Sequence, residues 1–268
     1  MATDFQSLLT QAQCFMCYGV SLDEGVELAL LQQWALNGSL LNGIQLAWHF
    51  DADVQANNGA FDSVTNYFLA INNQGNLKPS TVPGLLNNAV NCNPTNALQI
   101  DGLVENTPNG NVNLHMVADR TVSLWLFPKN NGLFRPTALV AGVYNDITGG
   151  EWVMFYNPTA VSVEVALVDA AFNFYSVTSA MPVTWNHVVM TFNHAAKSIS
   201  MYLNGVLVGS ATAPALNILT IPFVMGDDGT QDNNGQCAVD ELDVWNRILT
   251  PAEITDLYNS GTGKAYPF

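Results

Sequence analysis

The most constraining feature of this sequence is a long succession of short β-rich runs with no helical stretch between them. From Ile44 to Asn246, apolar, β-branched and aromatic segments alternate with clusters of Asn, Gly, Pro and Asp. That is the pattern of strands joined by turns. The clearest runs are 44–50, 96–100, 121–127, 138–144, 151–156, 161–167, 185–192, 198–210, 221–226 and 238–246. In SISMYL, Ile199, Met201 and Leu203 share one face and Ser198, Ser200 and Tyr202 the other, as a half-buried strand requires. Asn204-Gly205 predicts a type I′ hairpin. So many strands without intervening helices specify an all-β, two-sheet antiparallel sandwich. Trp125, Phe127, Val189, Phe192, Leu203 and Val244 are expected to face its interior. The Asn-rich region 72–113 reads as long surface loops.

The two ends have a different texture. In SLDEGVELALLQQWAL (21–36), Leu22, Val26, Ala29, Leu30 and Trp34 recur at helical spacing. Ser21 and Glu24 fit a capping box, and Asn37-Gly38 supplies a stop. A shorter helix is expected from Asp4 to about Gln13. The chain therefore divides into a helical segment, 1–42, and a sandwich domain, 43–268. The helical face of the first segment cannot be buried by one short helix alone, so residues 1–42 are expected to anchor or oligomerise the protein. At the other end, TPAEITDLYNSG predicts a short helix with Thr250 as N-cap, Pro251 in the first turn, Glu253 at N3 and Gly261 as the stop.

Composition excludes several functions. The chain has 268 residues, with 7 Lys+Arg against 22 Asp+Glu and a net charge of −15. Such a chain cannot build a long phosphate-binding stripe, so no nucleic-acid partner is expected. Anionic membranes would repel it, and no apolar run is long enough to span one. The opening MATDFQSLLTQAQ lacks a basic and an apolar signal region, so no signal peptide is expected. Four cysteines are too few for a disulfide scaffold. Cys14-x-x-Cys17 lacks the βαβ setting of a redox pair and reads as packing. Cys92 and Cys237 read as isolated residues on loops or strands. His49, His115, His187 and His194 show no metalloprotease spacing.

Several runs together resemble the laminin-G-like, concanavalin A-like jelly-roll superfamily. They are LAWHFD (46–51), Asp62-Ser63, GLLNNAV (84–90), NALQIDG (96–102), TVSLWLFP (121–128), WNHVVMTF (185–192), SMYLNGVLVGS (200–210) and VDELDVWNRILTPAEITDLYN (239–259). The segment LLTQAQCFMCYGVSLDEGVELALLQQW is similar to those that open virion structural proteins of tailed bacteriophages.

The resemblance implies specific sites. Superfamily members often hold one structural Ca²⁺ between the first and last strands. The matching positions are Asp51, Asp62 and Asp240, with Asp227, Asp228 and Asp232 as a second oxygen-rich loop. Calcium needs six to eight hard oxygens. The alternative is that these acids are solvated loop residues. Glycan binding in such sandwiches uses exposed aromatics. Tyr144, Trp152, Tyr156 and Tyr175, with Phe172 and Phe174, are the candidate platform, against the alternative that the strand aromatics are core. Some members are β-glucanases with an E-x-D-x-x-E strand. Here the run is Glu241-Leu242-Asp243-Val244-Trp245-Asn246, and Asn246 cannot transfer the proton a retaining pair requires. No catalytic residue is therefore assigned.

The resulting expectation is a non-enzymatic virion structural or adhesion protein: a tail, fibre or capsid decoration component at the virion surface. It would contact other virion proteins through residues 1–42, self-associate, and present a lectin-like jelly roll to surface glycans. The second reading is a carbohydrate-binding module of a cellular protein. The third is an atypical glycoside hydrolase.

Overall fold

Alternating apolar positions cannot be buried by one sheet alone, and this chain buries them between two. The computed structural model describes residues 38–53, 56–57, 59–65, 68–71, 79–92, 103–105, 112–129, 138–145, 147–226 and 237–268. The chain divides into two compact units, Met1–Ser39 and Leu40–Phe268. The helices expected at 4–13 and 21–36, the run 96–100 and the acidic loop 227–232 lie outside the described residues.

One sheet contains β1 (Ile44–Trp48), β4 (Ser80–Pro83), β5 (Asn88–Cys92), β7 (Arg120–Pro128), β12 (Asn186–Asn193), β13 (Ser198–Leu203), β14 (Val206–Thr212) and β16 (Cys237–Trp245). Its order is β14-β13-β12-β7-β16-β5-β4, with β1 also on β16. The other contains β2 (Gly59–Phe61), β3 (Phe68–Ile71), β6 (Leu103–Glu105), β8 (Ala138–Asn145), β9 (Gly149–Asn157), β10 (Ser162–Val168), β11 (Phe174–Ala180) and β15 (Val224–Met225), in the order β11-β10-β9-β8-β15-β6-β3-β2. All the described pairings are antiparallel. The expected jelly-roll sandwich is the fold. The Asn204-Gly205 hairpin has both residues at positive φ, 52° and 79°, as type I′ geometry demands.

Three of the six residues expected to face the interior do not. Val122, Leu124 and Leu126 of β7 point into the intersheet core with Phe192 and Val244, and Leu203 packs against it. Trp125 and Phe127 are on the opposite face. Trp125 stacks on His187 at 5.0 Å and on Tyr258 at 5.8 Å, and Phe127 meets Trp185 edge-on. Val189 joins Leu40, Trp245, Leu249, Ile254 and Leu257 in a separate cluster. The reason is that α1 (Pro251–Tyr258) and the residues beside it fold back over the outer face of this sheet. Both faces of β7 are thereby covered, so hydrophobicity no longer marks the inner one. Burial of each large aliphatic of this second cluster contributes roughly 1.5–3 kcal/mol.

The region 72–113 is not only loop. It holds β4, β5 and β6, with Ala89, Val90, Cys92 and Leu103 fully buried. Their shortness and Asn content concealed them. At the N-terminal side, residues 38–41 are helical and are followed by Asn42-Gly43, with Gly43 at φ +80°; the stop expected at Asn37-Gly38 belongs to a helix outside the described residues. Leu40 is buried and its carbonyl accepts a 2.7 Å bond from Trp245 Nε1. Helix α1 starts with the predicted capping box of Thr250 and Glu253. It stops at Asn259, which takes the left-handed conformation two residues before Gly261.

Candidate functional site

The site grows from a gap in the pairing of β16. One edge of this strand is shared: β5 covers Cys237–Val239 and β1 covers Leu242–Trp245. Asp240 and Glu241 fall between the two. On the other edge, the register against β7 shifts between Asp240 and Asp243. This is a β-bulge, with Glu241 at φ +47°. β1 bends beside it, and Phe50 has φ +59°. A non-glycine residue in this region stores strain and persists only where its surroundings hold it. Two such residues at one sheet break mark the place.

The bend at Phe50 sends that side chain into the core while its neighbours His49 and Asp51 line a cleft of about 310 Å³. Asn57, Gly59, Phe61 and Ser63 are among the other lining residues, with Phe50, Ala52 and Ala60. His49 Nδ1 lies 2.7 Å from Glu241 Oε2, and Tyr266 stacks on the imidazole at 6.5 Å. The hydrogen bond to Glu241 raises the His49 pKa, against the opposing effect of burial. Burial raises the Glu241 pKa, while His49 pulls it down. Asp51 accepts bonds from Asn87 Nδ2 and the Asn88 amide, both at 3.2 Å. Phe61 is 60% exposed. The cleft thus offers an imidazole, a carboxylate, an amide and a hydroxyl beside an exposed phenyl ring.

Asp240 is fully buried and does not line the cleft. Its Oδ2 accepts from the Leu85 and Leu86 amides at 2.9 and 3.0 Å, and its Oδ1 from the Glu241 amide at 3.0 Å. Gly84 permits this wrap, because a Cβ there would sit 2.5 Å from Asp240 Oδ2. Burial pushes Asp240 up to about 8, against three backbone amides that favour the carboxylate. Asp243 is also buried and raised well above its usual value by desolvation. Its Oδ1 has no hydrogen-bond partner among the described residues.

The three expected calcium ligands have separate occupations. Asp62 accepts from the Val64 and Thr65 amides and the Thr65 hydroxyl, at 2.7–2.9 Å, and so shapes the turn that carries Ser63. Asp51 and Asp240 are engaged as above. Among the described residues no group of three or more His, Cys, Asp or Glu is arranged to hold a metal ion. Asp51, Asp62 and Asp240 are thus not brought together as one such group among the described residues.

The expected aromatic platform is divided between faces. Trp152 and Tyr156 lie in the intersheet core, where Trp152 Nε1 donates to the Leu114 carbonyl at 2.8 Å. Tyr144 is buried in another cluster, edge-on to Phe155. Tyr175 is half-buried and its hydroxyl donates to Asp169 Oδ2 at 3.0 Å. Only Phe172 and Phe174 of the set are substantially exposed, at 39% and 40%. Strand alternation accounts for this: Trp152 and Tyr156 are four apart on β9 and share its inner face, whereas on β8 Val143 takes the inner face and Tyr144 the outer one. The sequence reading missed His49, Asn57 and Phe61. The available signal was LAWHFD, where a polar pair brackets Phe50, but no spacing rule links His49 to Glu241.

The fold is a concanavalin A-like antiparallel β-sandwich. Residues 104–255 match the model of the concanavalin A-like lectin/glucanases superfamily, to which this chain belongs. No curated protein sequence matches it. Among solved structures it is similar to the binding domain of Paraclostridial Mosquitocidal Protein 1, with 15% identity and TM-score 0.61 over 84% of this chain and 53% of the other. It is equally similar to the botulinum neurotoxin serotype D ligand-binding domain in complex with N-acetylneuraminic acid, at 15% and 0.61 over 84% and 52%. The binding domain of botulinum neurotoxin DC in complex with SialylT follows at 14% and 0.55, over 84% and 52%. The chain spans about half the length of these structures.

Proposed function

We propose that the sandwich is a non-catalytic carbohydrate-binding module whose ligand enters the His49 cleft. The observation that carries this reading is the double break at Phe50 and Glu241, which holds His49 and Asp51 on the wall of an open cleft beside an exposed Phe61. Sugars are recognised by hydroxyl-directed polar groups together with an apolar surface against their C–H faces, and this wall supplies both. The sialic-acid complex of a structural neighbour supports the class of ligand. A β-glucanase reading has less support. Glu241 is held by His49, Asp243 is buried, and neither lines the cleft. The bulge also breaks the two-residue period that would place them on one face.

A virion or cell-surface setting, with residues 1–42 serving attachment or self-association, remains part of the proposal. Its support is the apolar helical pattern of that segment. Glycan-array binding of the full chain tests the module. A saccharide whose affinity falls at least about tenfold, or 1.4 kcal/mol, in both His49→Ala and Phe61→Ala, but not in Phe172→Ala, supports the cleft. Array-wide silence, or binding that depends on Phe172 alone, overturns it. Light scattering of the full chain reads its self-association.

A further inference from the structure

Two cysteines far apart in sequence become direct neighbours in the first sheet. Cys92 ends β5, Cys237 opens β16, and the two are register partners. Both are thiols, fully buried, in the intersheet core. Directly opposed residues of an antiparallel pair have Cα atoms about 4.5–5.5 Å apart. Disulfides span Cα separations of about 4.4–6.8 Å. A cation completes the arrangement. Lys129, just past the end of β7, donates to Oδ1 of Asn91, the neighbour of Cys92 in β5; burial lowers its pKa, and the two cysteines pull it partly back up. A neighbouring ammonium favours the thiolate, which is the attacking species in disulfide exchange.

We propose that Cys92 and Cys237 are a built-in dithiol pair that closes a cross-strand disulfide between β5 and β16 when it meets a small-molecule disulfide oxidant. One cysteine thiolate attacks the oxidant, forming a mixed disulfide and releasing one thiolate. The second cysteine attacks the protein sulfur of that mixed disulfide and releases the other. Two cysteine thiols lose two electrons and two protons, and one oxidant disulfide becomes two thiols. The oxidant reaches the buried pair through transient opening. The staple fixes β5 against β16 on one side of the gap at Asp240 and Glu241, and it stands independently of any glycan role.

The test incubates the full chain with glutathione disulfide in denaturant just below its unfolding midpoint, then alkylates, digests and maps it by mass. The expected product is a Cys92–Cys237 linked peptide, lighter by two hydrogens. It comes with a melting midpoint raised by roughly 5–10 °C, and dithiothreitol reverses both. The product persists in Cys14→Ser/Cys17→Ser and is lost in Cys92→Ala. Recovery of Cys92 and Cys237 as alkylated thiols, their linkage to Cys14 or Cys17 instead, or a lowered midpoint would overturn the proposal.

Discussion

The second unit contains two His–Glu pairs of nearly identical local chemistry and opposite surroundings. His49 lies 2.7 Å from Glu241, and His115 lies 2.6 Å from Glu151. In both, the hydrogen bond to glutamate raises the histidine pKa against burial. Glu151, however, is engaged through both oxygens. It also accepts from the Met116 amide at 2.9 Å and the Leu219 amide at 2.7 Å, tying β9 to two distant segments in a closed interior. Glu241 has one oxygen on His49 and a second, buried oxygen with no hydrogen-bond partner among the described residues, and its histidine faces a cleft. The same pair serves as a structural clamp where both carboxylate oxygens are engaged by the surrounding segments. It becomes a candidate recognition element where a sheet break leaves one face open.

The largest expected effect comes from breaking the closed pair. Glu151→Ala orphans two backbone amides and His115, and should cost about 3–5 kcal/mol in denaturant unfolding. Glycan affinity of the folded fraction should not change. Equal loss of stability and affinity would erase the distinction between the pairs.

Breaking the open pair should do the reverse. Glu241→Gln removes one charge-assisted bond while keeping side-chain volume, so stability should change by no more than about 1 kcal/mol. Loosened His49 should weaken glycan binding about tenfold, or 1.4 kcal/mol. A loss of more than about 3 kcal/mol in unfolding would make Glu241 a second clamp.

Acidity should separate the pairs from their buried neighbours. His49, His115, Asp240, Glu241 and Asp243 all have folded pKa values above their ordinary ones. Their contributions are complete below the unfolded values and are lost as pH rises through the folded values. His187 acts oppositely. Burial lowers it to about 3, so its contribution is present above the ordinary histidine value and is lost on acidification. Between about pH 7 and 8.5 His187 is mostly neutral in both states, so the melting midpoint should fall with rising pH by several degrees. Asp240→Asn should flatten that slope. An unchanged slope would mean that Asp240 is ionised throughout.

The smallest expected effect is from calcium. With Asp51, Asp62 and Asp240 engaged separately, melting in millimolar calcium and in chelator should agree within about 1 °C. A bound ion at a hundredfold excess over Kd would instead add about 2.7 kcal/mol.

The sequence by itself determined the architecture. Period-2 runs, Asn204-Gly205 and the Thr250–Glu253 capping box are local signals, and each is written within a few residues of where it acts. The facing of β7 was decided only in three dimensions. Trp125 and Val122 are equally apolar, and only the return of α1 over the outer face makes both buried. The site was decided there too. Glu241 meets His49 across 192 positions, and Cys92 meets Cys237 across a ladder whose register depends on the whole sheet. Pairings of that span are set by packing and strand order, which no local spacing encodes.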